Sequence, residues 1–197
     1  WAGGIYSDDT LTLSRSIVSG NTAVTDASEI ENAFLIYADN NIFSHSGQLT
    51  ADAFTGFTPG ASDFDASSDA GNIPLTDILD TTLADNGGPT PTHNLVDDSP
   101  AVDLAPDADC VAPSLTDGID QRGAPRPFDV AGQGNEVSDT CDAGAVEFGS
   151  PVPGTRIFMS TQTAGTTGDG LAFGPEDIIM WDGDEWSMWF DGSAAGL

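Results

Sequence analysis

The feature that most constrains the fold of this chain is a set of short strand-like segments that recurs after about 25 residues. Three apolar residues and one serine return in the same order, first as Leu11, Ile17, Val18 and Ser19 and then as Ile36, Ile42, Phe43 and Ser44. Within the first set, Thr10–Leu13 alternates polar and apolar residues, a pattern typical of a half-buried strand. Because such short strands cannot bury an inward face alone, the recurrence predicts coils that stack as a β-solenoid.

The residues around this recurrence resemble the right-handed parallel β-helix repeat of bacterial surface proteins. The similarity is carried by Ala2–Tyr6, Leu11–Leu13 and Ser16–Ala23, with Ala2 and Ser7 standing where the repeat has Gly and Asn. The resemblance covers about two coils in residues 1–60, and it implies that the N-terminal coil meets further coils or another subunit. Since the chain begins without Met or a signal-peptide pattern, we expect a mature product or a piece of a longer chain.

Residues 61–149 resemble the C-terminal cap of the same β-helix family, the cap of choice-of-anchor Q type. Four blocks carry the similarity and occur in the order of the family pattern: Leu83–His93, Asp98–Asp103, Asp120–Pro127 and Cys141–Phe148. The family is known as an extracellular module and not as an enzyme. The resemblance therefore implies a loop-rich cap that closes the end of the β-helix.

Two of the four cations of the chain lie inside these cap blocks, at Arg122 and Arg126. Asp120, Asp142 and Glu147 are the candidate partners, because bidentate arginine–carboxylate pairs fix irregular loops. The alternatives are that these arginines are free surface groups or that they bind an anionic ligand.

The chain has two cysteines, Cys110 and Cys141, in this loop-rich stretch. Their even number in a chain with extracellular character favours a disulfide over two reduced thiols. Such a bond would contribute about 3 kcal/mol in the chain-entropy model. Neither cysteine has a CxxC neighbour or a nearby histidine, which argues against a metal site.

The remaining sequence predicts a linker over residues 150–154 and a small β module over residues 155–197. Two aromatic runs, Glu176–Trp181 and Trp186–Phe190, flank an Asp-Gly turn and predict a hairpin. This module resembles a small β repeat of secreted bacterial proteins. The tryptophans are candidate contacts for assembly, with sugar stacking or a compact core as alternatives: Trp1, Trp181, Trp186 and Trp189. The predicted fold is therefore all-β, the C-terminal end of a right-handed parallel β-helix with a loop-rich cap, followed by a small β-hairpin module.

Charge excludes several classes of function. The chain has 32 acidic residues, four arginines and no lysine, for a formal net charge of −28. Nucleic-acid binding needs a basic footprint, and an anionic membrane surface would repel this chain. No apolar run approaches the roughly 18 residues of a membrane-spanning helix. High salt or bound Ca²⁺ would relieve the self-repulsion, and both settings point to an extracellular or salt-rich environment.

Three groups of aspartates are candidates for a Ca²⁺ site, because Ca²⁺ prefers carboxylate and carbonyl oxygens. They are Asp63, Asp65 and Asp69, then Asp107 and Asp109, and finally Asp182, Asp184 and Asp191. The spacing matches that of an EF-hand loop only loosely. The alternative is that each group consists of solvated turn residues.

Nothing in the sequence predicts catalysis. The two histidines, His45 and His93, lie far apart, and no P-loop, Rossmann or nucleophile-elbow motif occurs. A polyuronate lyase would need cations that this chain lacks, so we expect no enzymatic activity. We expect an extracellular structural or adhesive surface protein that associates with itself, as a filament or surface layer, or with other surface proteins. The alternative is a β-helix protein that binds or degrades polysaccharides, with glycans as partners.

Overall fold

A computed structural model describes residues 2–25, 27–32, 34, 36–106, 110, 118–134, 140–154, 157–181 and 186–194. The described residues form 15 short β-strands, one four-residue α-helix and one 3₁₀ turn. The prediction of an all-β fold is confirmed. The chain divides into two compact units, Trp1–Val152 (unit 1) and Pro153–Leu197 (unit 2).

Unit 1 begins with eight strands that pair only in parallel. The strands are β1 (Ile5–Ser7), β2 (Leu11–Ser14), β3 (Ile17–Val18), β4 (Ile30–Asn32), β5 (Ile36–Asp39), β6 (Ile42–Phe43), β7 (Phe54–Thr55) and β8 (Phe64–Asp65). They form three small sheets with the orders β1–β4–β7, β2–β5 and β3–β6–β8. Ile5 lies opposite Ile30 and Ile17 opposite Ile42, so the register follows the recurrence in the sequence. The helix α1 (Thr50–Ala53) leads directly into β7.

The third sheet, β3–β6–β8, contributes to two different cores. Successive side chains of a strand point to opposite faces. Val18 and Phe43 therefore lie in a first core, together with Ile30. Ile42 lies in a second core. The first core is completed by Phe54 and Phe57, whose rings make edge contacts with the ring of Phe43. The sheet is thus covered by apolar side chains on both faces.

The second core is built by the loop-rich part of unit 1. Its buried residues are Ile42, Ala66, Ile78, Leu95, Ala101, Val102 and Ala143, with Ile17 and Phe64 packed against them. The loop-rich part therefore packs on the outward face of β3–β6–β8, a position that the sequence does not predict. It contains the 3₁₀ turn Leu75–Asp77 and two antiparallel strands, β9 (Ala105–Pro106) and β10 (Thr140–Cys141).

The predicted disulfide between Cys110 and Cys141 is confirmed. It links residues 31 apart in sequence, and both cysteines are fully buried beside Ala105. The bond therefore attaches Cys110 to β10, which pairs with β9.

Unit 2 consists of two small antiparallel sheets. Its strands are β11 (Ile157–Met159), β12 (Gly165–Thr166), β13 (Ala172–Phe173), β14 (Ile178–Trp181) and β15 (Trp186–Phe190). The sheets have the orders β11–β14–β15 and β12–β13, and the two predicted hairpin strands pair with Trp181 opposite Trp186. The buried carboxylate of Asp177 accepts hydrogen bonds from the amides of Gly174 and Gly192, at 2.6 and 2.9 Å. This carboxylate joins the two ends of the hairpin.

Among the residues that the structure describes, no helix is long and apolar enough to cross a membrane.

Candidate functional site

The candidate site of unit 1 is a buried network of arginines and carboxylates in the loop-rich part. Asp120 is the first centre of this network. Its carboxylate accepts hydrogen bonds from Arg122 Nε at 2.8 Å and from the amides of Arg122, Ala124 and Glu147 at 2.7, 3.0 and 2.9 Å. Arg122 also donates from Nη2 to the carbonyl oxygen of Glu147 at 2.7 Å. One ion pair thus connects the turn at Asp120 to the segment that ends the loop-rich part.

The second centre contains Arg126, Asp142 and Glu147. Arg126 Nε lies 3.4 Å from Glu147 Oε2, and its Nη1 and Nη2 atoms donate to the carbonyl oxygens of Asp142 and Gly144. Glu147 accepts hydrogen bonds from the amides of Phe128 and Asp142 at 2.9 and 3.2 Å. The structure therefore brings together all five residues that the sequence singled out for ion pairing.

Burial controls the protonation of this network. Desolvation, together with the neighbouring charge of Asp142, raises the pKa of Glu147 to about 7 against the pull of Arg126. Desolvation likewise raises the pKa of Asp142 to about 6, although hydrogen bonds from Phe148 and Asp103 oppose it. The same cause lowers the pKa of Arg126. Because backbone amides occupy the carboxylate oxygens, the network can clamp loops but does not present an acid or base to a substrate.

Arg15 is a third buried arginine near this network. Its side chain is 8% exposed, and its Nε and Nη1 atoms make no hydrogen bond within the part of the chain that the structure describes. Its backbone joins the two parts of unit 1, since its amide donates to Asp39 and its carbonyl oxygen accepts from Gly144. The charge of Arg15 also helps to lower the pKa of Arg126. Nothing in the local sequence indicates this contact between Arg15 and residue 144.

Glu29 is a buried carboxylate outside this network, and the sequence does not single it out. It is fully buried and accepts hydrogen bonds from the amide of Gly20 at 3.0 Å and from Asn21 Nδ2 at 2.7 Å. Desolvation raises its pKa to about 7. His45 Nδ1 lies 3.8 Å away, and burial lowers the pKa of this histidine. Through its hydrogen bonds with Gly20 and Asn21, Glu29 ties the turn after β3 to the segment before β4.

Asn41 is a further residue that the sequence does not single out. It is fully buried; its Oδ1 accepts from the amide of Ser16 at 2.9 Å and its Nδ2 donates to Leu13 O and to Asp63 Oδ1. One side chain thus connects the segment after β2, the turn before β6 and the turn before β8. Asn41 lies 25 residues after Ser16, the same interval at which the strand residues recur. This spacing is the signal in the sequence that could have indicated the contact.

The carboxylate oxygens of the described Ca²⁺ candidates accept hydrogen bonds from other groups of the chain. Asp63 binds the amides of Gly60 and Asn41, and Asp69 binds the amide and hydroxyl of Thr50, which lowers its pKa. Asp65 holds Thr50 Oγ1 and the amide of Ser67.

In unit 2, Asp191 binds Ser193 and Ala194, with a lowered pKa. Over the described ranges, no three His, Cys, Asp or Glu side chains come together as a metal site. Asp107, Asp109, Asp182 and Asp184 lie outside the described residues. The binding of Ca²⁺ stays a prediction, which the melting temperature with and without EDTA tests.

The predicted assembly contacts in unit 2 differ in exposure. Trp181 and Trp186 contact each other at a centroid distance of 5.4 Å. Trp189 is 58% exposed and makes an edge contact with Phe158, at 5.1 Å. Trp1 lies outside the described residues. Their role in assembly stays a prediction.

A mainly apolar cleft of about 310 Å³ lies beside β3. Its walls include Ile17, Leu79, Leu83, Pro91, Leu95 and Val146. His93 also lines it, and its Nδ1 is hydrogen-bonded to the carbonyl oxygen of Asp80 at 2.8 Å. The imidazole thus holds a loop in place at the rim of the cleft.

Comparison of the chain with protein-family models, with curated proteins and with solved structures finds no match.

Proposed function

We propose that this chain is a non-enzymatic structural or adhesive protein of the cell surface. In this proposal, the three parallel sheets of unit 1 are the terminal coils of a right-handed parallel β-helix, and the loop-rich part is a cap of choice-of-anchor Q type. Unit 2 is a small β module attached to it. Self-association, or association with other surface proteins, is the biochemical role.

The observation that carries the proposal is the parallel register of unit 1. Ile5, Leu11 and Ile17 each lie opposite a residue 25 positions later, in three separate sheets. Strands that repeat at one period around a common core are the building principle of solenoids, which serve mainly as frameworks and binding surfaces. A framework of this kind supports a mechanical or adhesive role.

The chemistry of the buried network supports a role without catalysis. Arg122 and Arg126 have buried side chains that are committed to carboxylates and carbonyl oxygens. A lyase acting on polyuronates needs cations that reach its substrate, and a net charge of −28 repels such polymers.

An extracellular location is compatible with one finding. Cys110 and Cys141 form a disulfide, and disulfides persist in oxidising compartments. Protease treatment of intact cells tests the location: we expect digestion of this chain without lysis, and protection until lysis would contradict it.

Assays against insoluble and soluble polysaccharides test the absence of catalysis. We expect no new reducing ends and no unsaturated uronates from neutral or acidic polymers, with or without Ca²⁺. Product formation that is lost in Glu29→Gln or Glu147→Gln, but kept in the exposed control Asp129→Asn, would overturn the proposal and favour the polysaccharide-degrading alternative.

A further inference from the structure

Arg15 is a buried cation without an acceptor in the part of the chain that the structure describes. The residue is 8% exposed, and its Nε and Nη1 atoms are buried and make no hydrogen bond there. Buried charges in folded proteins are paired and hydrogen-bonded, because an isolated ion loses its hydration without compensation. A neutral state does not relieve this cost, since the guanidinium group of arginine keeps its proton in proteins. The side chain of Arg15 therefore requires an acceptor.

The buried carboxylates of the neighbouring network are already occupied. Asp142 accepts one amide hydrogen bond on each carboxylate oxygen, from Asp103 and Phe148. Glu147 also accepts an amide hydrogen bond on each oxygen, and Arg126 lies against one of them. Neither carboxylate accepts a hydrogen bond from Nε or Nη1 of Arg15. The acceptor that Arg15 requires is therefore not one of these two groups.

Three of the four cations of the chain are buried in unit 1, and two of them repel each other. The three are Arg15, Arg122 and Arg126. Desolvation, together with the charge of Arg15, lowers the pKa of Arg126 against the pull of three carboxylates. The guanidinium groups of Arg15 and Arg126 are therefore close enough to interact. An anion beside Arg15 would offset this repulsion and would also supply the missing acceptor.

We propose that Arg15 binds a small monovalent anion, of the charge and size of chloride. Because only 8% of the residue is exposed, a single-atom ion fits the site better than a bulky oxyanion such as sulfate. A divalent oxyanion would also bring a second charge that has to lose its hydration. This inference goes beyond the structural role proposed above and does not depend on it.

The acidity of the chain determines the conditions under which the site fills. The net charge of −28 repels anions at long range. At a salt concentration of about 1 M the Debye length is about 3 Å, so exposed carboxylates hardly act on an ion at Arg15. The contact with the buried guanidinium group is screened much less. We therefore expect the anion to bind at high concentrations of NaCl.

The position of Arg15 gives the bound anion a structural consequence. The amide of Arg15 donates to the carbonyl oxygen of Asp39 at 3.1 Å, and its carbonyl oxygen accepts from the amide of Gly144 at 2.8 Å. Arg15 thus joins the parallel strands to the loop-rich part. An ion that binds the folded chain and not the unfolded chain stabilises the folded state. The anion would therefore strengthen the contact between the two parts of unit 1.

The line width of the ³⁵Cl NMR signal tests the proposal in about 1 M NaCl. Chloride that exchanges between water and a protein site gives a broader line than free chloride. We expect the full chain to broaden the line, and Arg15→Gln to remove most of this broadening. Thr58→Asp is the matched control, because it changes the net charge by the same amount at an exposed position, and it should keep the broadening. No broadening by the full chain, or equal broadening with Arg15→Gln, would overturn the proposal.

Crystals of the unmodified chain grown in bromide give a readout that does not depend on whether Arg15→Gln folds. Bromide has the charge of chloride and scatters anomalously, so its position is seen directly. We expect an anomalous peak in contact with the guanidinium group of Arg15. Electron density for a water molecule at this position, without an anomalous peak, would overturn the proposal, and so would a guanidinium group with nothing bound.

Discussion

At the scale of single residues, burial divides the carboxylates of this chain into two groups. Exposed aspartates such as Asp69 and Asp191 accept hydrogen bonds in turns, which lower their pKa. Buried acids such as Glu29 and Glu147 have raised pKa values because desolvation disfavours the charged form. The first group sets the charge of the surface, and the second makes stability depend on pH.

The buried acids predict that unit 1 becomes less stable as the pH rises from about 5 to about 8. The folded pKa of Glu29 and of Glu147 is about 7, above the ordinary value of 4.5, and that of Asp142 is about 6, above 3.8. The folded state thus keeps protons that the unfolded chain loses. This stabilisation is fully present below the unfolded pKa and is lost as the pH rises through the folded pKa.

Urea unfolding at about pH 5 and about pH 8 measures how stability depends on pH, with high salt to screen the surface charge. We expect a lower midpoint at the higher pH and a smaller difference in Glu29→Gln, which removes one titrating group. Asp129→Asn changes an exposed acid and should keep the full difference. A midpoint that rises with pH would contradict the prediction.

The hydrogen bonds of Asn41 predict that removing its side chain lowers the free energy of unfolding. Asn41→Ala leaves the amide of Ser16 and the carbonyl oxygen of Leu13 without the partner that now binds them. Buried groups without partners cost about 1 to 3 kcal/mol each, so we expect a loss of about 3 kcal/mol in the free energy of unfolding. Thr58→Ala, at an exposed position, is the control and should change stability by less than about 0.5 kcal/mol. Equal effects of both substitutions would show that the hydrogen bonds of Asn41 do not stabilise unit 1.

At the scale of elements, the sequence pattern predicted the parallel register but not the position of the loop-rich part. The pairing of Ile17 with Ile42 follows from a repeat that is visible in the sequence. The packing of Ile78 and Leu95 on the outward side of the same sheet leaves no periodic signal, because loops have no fixed spacing of apolar residues. Arg15 illustrates the same limit, since its bond to Gly144 spans most of unit 1.

The disulfide predicts a stability effect confined to unit 1. Closing a loop of 31 residues stabilises a fold by about 3 kcal/mol in the chain-entropy model. We expect the double variant Cys110→Ser/Cys141→Ser to lower the urea midpoint of unit 1, followed by circular dichroism. Unit 2 holds three of the four tryptophans, so its unfolding is followed by fluorescence and should keep its midpoint. An unchanged first midpoint would contradict the stabilising role, and a parallel shift of both would contradict its confinement to unit 1.

At the scale of the whole molecule, the charge of −28 predicts a strong dependence on salt. Like charges repel most when the chain is compact, and salt shortens the range of this repulsion from about 10 Å at 0.1 M to about 3 Å at 1 M. We expect the melting temperature to rise over this range with NaCl and much less with an osmotically matched sugar. If NaCl and the sugar raise the melting temperature equally, the cause is the exclusion of both solutes from the protein surface. That result would contradict a role of charge.

The sequence by itself determined the all-β class, the strands that pair with β1, β2 and β3, and the two cysteines that bond. These features are local or repetitive: alternating residues predict strands, and a recurrence after 25 residues predicts the partners of the first three strands. The choice of Asp120, Asp142 and Glu147 as arginine partners rested on a family resemblance, and the structure brings these residues into one network.

Only the tertiary structure decided which carboxylates are buried and where the loops pack. Glu29 and Asp63 have similar polar neighbours in sequence, yet Glu29 is fully buried and Asp63 is not. Burial depends on contacts between residues that are distant in the chain, such as Arg126 with Gly144 or Gly20 with Glu29. Since the energy of a charge depends on its solvent exposure, its protonation follows from the fold and not from the local sequence.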